Sequence, residues 1–250
     1  MVTKAARLCH RGSDGEEGPA VDFSTGSRTT RRQHVVRISF STLLRVTDDD
    51  RYVLFDSPKR PGAYGPPGGV VKFHPPAVRL LESWGFRPDR ATAGAEKMRS
   101  DLRGMLPVRS LRRFQAWFAT GAYRETAEEC LRRELWEELA EVGLSALRPH
   151  TRRLSFISVR TVLEGPSSVP GKDFLQLRRF DIHDVAMVTS DAVRLRRELV
   201  ESGYDAERSG VICANYDDIA HGRLNRALIA PHSALLAGEA RLAADLPPVR

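Results

Sequence analysis

Three glutamates at helical spacing are the residues of this sequence that could do chemistry. Glu134, Glu137 and Glu138 stand at positions i, i+3 and i+4, so an α-helix would place their carboxylates along one edge. Like charges at that spacing repel one another unless a cation lies among them. A hard divalent ion such as Mg²⁺ takes oxygen ligands and would relieve the repulsion. The spacing therefore predicts a metal site on a helix, and the alternative is a solvated surface helix rich in Glu and Arg.

The stretch that carries these glutamates has the pattern of an amphipathic helix. It contains no Gly or Pro from Thr126 onward, and Thr126 or Glu125 is placed to start it. Apolar residues recur every four positions and form a stripe that faces a core, namely Ala127, Leu131, Leu135 and Leu139, with Cys130 beside them. Glu134 and Glu138 fall on or beside this stripe, so they are not simply solvated. Arg133 can pair with Glu125 and hold the start of the helix.

The six residues from Arg133 to Glu138 follow Glu125 after seven intervening residues. This order resembles the core of the Nudix box, Gly-x5-Glu-x7-Arg-Glu-aliphatic-x-Glu-Glu-x-Gly-aliphatic. Two positions depart from the box. Its first glycine would fall at Ala119, and its closing Gly-aliphatic pair would fall at Ala140-Glu141, whereas the pair in this sequence is Gly143-Leu144.

The segment upstream is also similar to Nudix proteins. Residues 35–73 read as a strand, a turn and a strand that lead into Pro67-Gly68-Gly69, and glycines there let the backbone approach an ion or a phosphate closely. A long insertion separates this Pro-Gly-Gly from Glu125. The insertion resembles that of the SMODS-associated NUDIX proteins, bacterial Nudix domains linked to cyclic-oligonucleotide antiphage systems, and the resemblance covers roughly residues 34–238.

The resemblance implies a metal-dependent hydrolase that cleaves a pyrophosphate linkage in a nucleoside diphosphate joined to another moiety. It implies that Mg²⁺ or Mn²⁺ is held by the carboxylates of Glu134, Glu137 and Glu138 and by a backbone carbonyl of Gly68 or Gly69. One of the glutamates or a loop carboxylate would act as the base, and Glu125 and Arg133 would fix the helix.

Two further groups of residues follow from the resemblance. Lys59 and Arg60 lie in a loop that often faces the substrate in Nudix proteins, so they either contact phosphate or form a solvated loop. A further carboxylate from a late loop is also usual, and the choice stays open between Glu164, Asp181 and Asp184.

A binding module is the rival to the enzyme. In that interpretation the fold holds a nucleotide signal or regulates a partner without turnover. The displaced glycines at Ala119 and Ala140 favour it, and retention of all three box glutamates favours the enzyme. A nucleic-acid binder would rest on charge alone.

Composition limits the possible partners and location. The chain has 250 residues, a net charge of +7 and a pI near 9.7, which favour anionic ligands such as nucleotides. Its three cysteines are far apart and predict neither a disulfide framework nor a metal cluster. No apolar run approaches the roughly 18 residues of a membrane span. We therefore expect a cytoplasmic protein with a nucleotide-type substrate, and a homodimer is possible because many Nudix domains pair.

The expected fold class is α/β, a Nudix-like α/β/α sandwich with a mixed sheet. Residues 1–33 lack an apolar pattern and predict a disordered leader, and residues 241–250 predict a frayed tail. Residues 34–240 would form one domain, with a helical insertion at about 75–118. Trp84 and Trp117 in that insertion either pack it onto the domain or stack on a base, and packing is favoured.

Overall fold

A computed structural model describes residues 34–89, 100–205 and 210–246. These residues belong to one compact unit, Gln33–Arg250. The leader predicted at residues 1–33 lies outside the described residues.

Twelve strands make up the β structure of the described residues. In chain order they are β1 (Val35–Arg45), β2 (Thr47–Asp48), β3 (Arg51–Ser57), β4 (Arg60–Gly65), β5 (Gly68–Val70), β6 (Arg87–Pro88), β7 (Arg103–Pro107), β8 (Phe156–Ser168), β9 (Leu175–Val185), β10 (Val211–Asn215), β11 (Arg223–Leu224) and β12 (Ala227–Ile229). The α-helices are α1 (Val78–Ser83), α2 (Leu111–Thr120), α3 (Ala127–Glu141), α4 (Ser190–Tyr204) and α5 (Tyr216–His221). Short 3₁₀ segments include Ser145–Arg153 and Pro231–Leu236.

The strands form two mixed sheets. The first has the order β6-β7-β1-β9-β8, with β5 paired to β1, and its β1 and β9 run parallel. The second has the order β10-β3-β4-β12-β11, with β2 paired to β3, and its β4 and β12 run parallel. The α/β class and the Nudix-like α/β/α arrangement are confirmed, with two mixed sheets where the sequence predicted one.

The apolar stripe of α3 lies in the core, as its spacing predicts. Leu131, Leu135 and Leu139 have no exposed surface and belong to one cluster with apolar side chains of β1, β3 and α4. Burial of each such side chain contributes about 1.5–3 kcal/mol to folding. The stripe therefore fixes the rotation of α3 about its axis and decides where its glutamates point.

The insertion is not purely helical, because it contains α1, β6, β7 and α2. Strand β7 begins at Arg103 and pairs with β1. The insertion packs through its aromatic residues. Phe40 of β1 meets Phe114 and Phe118 of α2 edge-on, and Trp84 and Trp117 are only 9% and 8% exposed. These side chains are therefore core residues rather than a stacking platform.

Two further elements complete the fold. Helix α4 continues through Gly203, where a Cβ would overlap the Cys213 sulfur of β10. The glycine therefore allows α4 to pack closely on β10. The closing segment that begins at Pro231 is a 3₁₀ helix. Within residues 34–89, 100–205 and 210–246, no helix is long and apolar enough to cross a membrane.

Candidate active site

Helix α3 starts at a capping box. The Glu129 backbone N–H donates to Thr126 Oγ1 at 3.2 Å, and the Thr126 N–H donates to Glu129 Oε2 at 2.7 Å. The hydrogen bonds satisfy two backbone donors that a helix start otherwise leaves unpaired. The start of α3 is therefore fixed immediately after Glu125.

Arg133 clamps this helix start to the first sheet. Its Nε and Nη2 donate to the two carboxylate oxygens of Glu125 at 2.7 and 2.8 Å, as the spacing predicts. Nη2 also donates to the Val70 carbonyl at 3.0 Å, and Nη1 donates to Glu134 Oε1 at 2.7 Å. Burial disfavours the charge on Arg133, but Glu125 and Glu134 outweigh that cost and raise its pKa. The guanidinium is a fixed connection between α3 and β5.

The Pro-Gly-Gly segment lies directly against the box glutamates. The Gly68 N–H donates to Glu138 Oε2 at 2.9 Å. Gly68 has φ +131°, and a Cβ there would overlap the Thr42 carbonyl, while a Cβ on Gly69 would overlap the Glu134 carboxylate. Only glycine lets the backbone approach the helix this closely. The Gly69 carbonyl accepts a weak hydrogen bond from Cys130 Sγ at 3.7 Å.

The three box glutamates line one cleft of about 430 Å³. Its lining residues come from β3, the loop after it, β5, the insertion and α3, and they are Ser57, Pro58, Lys59, Gly68, Gly69, Val70, Lys72, Asp101, Arg103, Arg133, Glu134, Glu137, Glu138 and Glu141. Arg60, which was expected beside Lys59, instead lines a neighbouring cavity that shares Gly68 and Glu138 with the cleft. The cleft combines the carboxylates of α3 with the cations Lys59, Lys72 and Arg103.

Burial and neighbouring carboxylates disfavour the charged form of Glu138. Burial raises the pKa of this carboxyl well above its usual range, and Glu134, Glu141 and Glu137 raise it further, while the hydrogen bond from Gly68 opposes them. A cation in the cleft would reverse both effects, because it favours the charged form of every carboxylate near it.

The donors fit a hard divalent cation in chemical type, since all are carboxylate or backbone oxygens. They are not assembled around one point. Among the described residues, no group of three or more His, Cys, Asp or Glu side chains is arranged to hold a metal ion. Glu134 accepts from Arg133 and Glu138 accepts from Gly68, and these hydrogen bonds leave other lone pairs on both carboxylates, because an ionised carboxylate has about four acceptor sites.

The sequence analysis missed Asp101 and Arg103. Asp101 is 8% exposed, forms an isolated β-bridge with Lys72 and lines the cleft with Arg103. Burial raises the pKa of Asp101 to about 6, against the opposing charges of Lys72 and Arg103. The signal in the sequence is the alternation Asp101-Leu102-Arg103, in which charges flank a buried leucine as in a half-buried strand.

The three late carboxylates left open by the sequence do not line the cleft. Glu164 pairs with Arg241 at 2.6 Å, Asp181 pairs with Arg179 at 2.9 Å, and Asp184 pairs with Arg45 at 2.7 Å. Arg241 lies in the segment that was expected to fray, and it also contacts Asp245. The additional carboxylates in the cleft are Asp101 and Glu141.

The displaced glycines have counterparts a few residues downstream. Ala119 lies inside α2, which ends at Gly121 in the left-handed conformation, φ +74°. Ala140 lies inside α3, and Gly143 with φ +83° follows the helix, where the Leu144 N–H donates to the Leu139 carbonyl at 2.7 Å. A glycine in this conformation commonly ends a helix. Each of these helices is therefore followed by a glycine that makes the turn.

A family model of the SMODS-associated NUDIX domain matches residues 35–237. The chain belongs to this family. The match runs from β1 to the 3₁₀ segment Pro231–Leu236, so it takes in the Pro-Gly-Gly segment, the insertion and the box helix. The family places the chain in the Nudix superfamily, whose members generally use divalent metal ions. A search of curated proteins finds no match to the chain.

Proposed function

We propose that this NUDIX domain is a Mg²⁺-dependent hydrolase that cleaves the pyrophosphate linkage of a nucleoside diphosphate joined to another moiety. Mn²⁺ would serve in place of Mg²⁺, and family membership suggests a role in antiphage defence. One observation carries the proposal. Glu134, Glu137 and Glu138 share a cleft with the Gly68-Gly69 backbone and with three cations that can bind phosphate.

Different residues of the cleft would have different roles in such a reaction. Glu134, Glu137 and Glu138 would hold the metal, with a carbonyl of the Gly68-Gly69 segment. A bound divalent ion neutralises charge on phosphate oxygens and lowers the pKa of coordinated water. Water attacks one phosphorus of the pyrophosphate bridge, a box glutamate or Asp101 accepts its proton, and the bridging P–O bond breaks so that the second phosphate leaves.

The remaining groups orient the reactants. Arg133 and Glu125 keep α3 at a fixed distance from β5, so the glutamates and the glycine backbone stay on the same cleft. Lys59, which lines the same cleft, adds positive charge that attracts the phosphates.

A nucleotide sensor without turnover is the second candidate. It is favoured by the arrangement of the described side chains, since no three carboxylates among them are grouped to hold a metal ion. A sensor would need the basic side of the cleft and would not need the carboxylates to assemble around a metal.

Turnover assays separate the two candidates. The wild-type protein and the Glu138→Gln variant are incubated with dinucleotides, NDP-sugars, nucleoside triphosphates and cyclic oligonucleotides, with Mg²⁺ or Mn²⁺ or with chelator. The exposed Glu82→Gln on α1 is the matched control. The hydrolase requires metal-dependent product release that is lost in Glu138→Gln and retained in Glu82→Gln. Nucleotide binding without metal and without turnover of any compound would establish the sensor instead.

A further inference from the structure

The insertion contributes one side of the cleft. Strand β7 pairs antiparallel with β1 in the register Ser39↔Arg103 and Val36↔Leu106, so it continues the first sheet. Leu102 and Leu106 are fully buried in the cluster that contains Phe40. Because side chains alternate along a strand, this burial directs Arg103 to the opposite side, where the cleft lies.

Within the part of the chain that the structure describes, the side-chain hydrogen bond of Arg103 is weak. Its Nε donates to Ser39 Oγ at 3.4 Å, near the limit for a hydrogen bond. Burial lowers its pKa, Asp101 and Glu134 oppose that effect, and Arg37 adds to it. A partly desolvated guanidinium that faces a cleft gains strongly from an anion with two oxygens, because its planar donors fit such a group bidentately.

Lys72 is a second cation in the same cleft. It forms the β-bridge with Asp101 and lines the cleft beside Arg103. Asp101 therefore lies between the cations Lys72 and Arg103. The apolar core holds the segment that contains Asp101 in place. This arrangement keeps both positive charges in the cleft without making it positive overall, since the carboxylates of α3 oppose them.

We propose that Arg103, assisted by Lys72, binds phosphate oxygens of the substrate, so that the insertion is a part of the substrate site rather than an appendage. The inference rests on the proposed function for its substrate class, a nucleoside diphosphate derivative. It assigns to the insertion a role in ground-state binding. Removal of Arg103 should therefore act on KM more than on kcat.

The test compares Arg103→Gln, Arg103→Lys and the matched control Arg109→Gln, whose arginine is exposed in the same insertion. A charge-assisted hydrogen bond contributes about 1.5–3 kcal/mol, so Arg103→Gln should raise KM roughly 10- to 100-fold with kcat nearly unchanged. Arg103→Lys keeps the charge without the bidentate geometry and should fall between. Arg109→Gln should match the wild type, and thermal unfolding should verify that all variants are folded.

A second readout is independent of turnover. Binding of ADP is measured by calorimetry in chelator, and Arg103→Gln should weaken it by a similar factor. If the wild-type protein binds ADP but hydrolyses nothing, the hydrolase proposal fails while the role of Arg103 is still tested by binding. The inference is overturned if Arg103→Gln binds ADP as tightly as Arg109→Gln, or if the wild-type protein does not bind ADP.

Discussion

Asp101→Asn should stabilise the metal-free protein at neutral pH. The Asp101 carboxyl is 8% exposed, and burial raises its pKa from 3.8 to about 6. Each pKa unit corresponds to about 1.36 kcal/mol, so ionisation of Asp101 costs the folded state about 3 kcal/mol once both states are fully ionised. Asparagine has nearly the same shape and cannot ionise. The substitution removes that cost.

The sign of the pH dependence follows from the direction of the shift. The folded-state pKa lies above the unfolded-state value, so the folded protein binds the proton more tightly. Well below the unfolded-state value of 3.8 both states are protonated and the cost vanishes; it grows as the pH rises between the two pKa values and is complete about one unit above the folded-state pKa of about 6. The gain from Asp101→Asn should be about 1 kcal/mol at pH 4.5 and about 3 kcal/mol at pH 7.5.

Urea unfolding in chelator at these two pH values measures the gain. Asp50→Asn, in the exposed turn before β3, is the control that removes the same charge from a solvated position. It should change the free energy of unfolding by less than about 0.5 kcal/mol. A gain that is equal at both pH values would refute the reasoning. A loss of stability at pH 7.5 would show that Lys72 and Arg103 stabilise the carboxylate more than burial destabilises it.

Three further substitutions test the geometry around the cleft and the core. Gly68→Ala should destabilise the fold by about 3 kcal/mol or more, measured by urea unfolding, because its φ of +131° and the nearby Thr42 carbonyl both exclude a Cβ; a loss below 1 kcal/mol would contradict this. Glu125→Gln removes one of the two carboxylates paired with Arg133 and should cost about 1.5–3 kcal/mol, with a lowered midpoint in thermal unfolding; an unchanged midpoint would show that the pair is dispensable. Gly203→Ala should cost about 1–3 kcal/mol because the new methyl group meets the Cys213 sulfur, and Cys213→Ala in the same chain should recover part of the loss; no recovery would point to another cause.

Helix α3 could be predicted because the residues that define it lie close together in the sequence. Thr126 and Glu129 form the cap, the leucines at intervals of four form the buried stripe, and Glu125 and Arg133 lie close enough along the chain to meet. Each of these features depends on helical geometry within a few turns. The closeness of the Pro-Gly-Gly segment to the glutamates came from the Nudix resemblance rather than from local pattern, and the structure places Gly68 against Glu138.

Asp101, Arg103 and the role of Gly203 could not be predicted in the same way. The direction of Arg103 depends on which residue of β1 pairs with it, and a shift of one residue would turn the side chain into the core. The packing role of Gly203 depends on Cys213, which belongs to a strand on another part of the chain. The local sequence pattern predicts the helix or strand to which such a residue belongs. It does not predict which residues it contacts in the folded protein.

The two ends of the insertion are joined by hydrogen bonds, and this explains why so long an insertion leaves the cleft intact. The Glu125 N–H donates to the Lys72 carbonyl at 2.8 Å, and the Lys72 N–H donates to Glu125 Oε2 at 2.9 Å. The His74 N–H donates to the Tyr123 carbonyl at 2.8 Å, so the chain leaves and returns at one place. Extra residues in a closed insertion add little to the entropy cost of loop closure, because that cost grows only with the logarithm of length.

The insertion packs its own apolar residues on β1, and the strand that returns toward α2 passes the cleft at Asp101 and Arg103. An insertion fixed in this way can change what the cleft binds while Arg133 and Glu125 hold the metal-binding carboxylates of the proposed site in place.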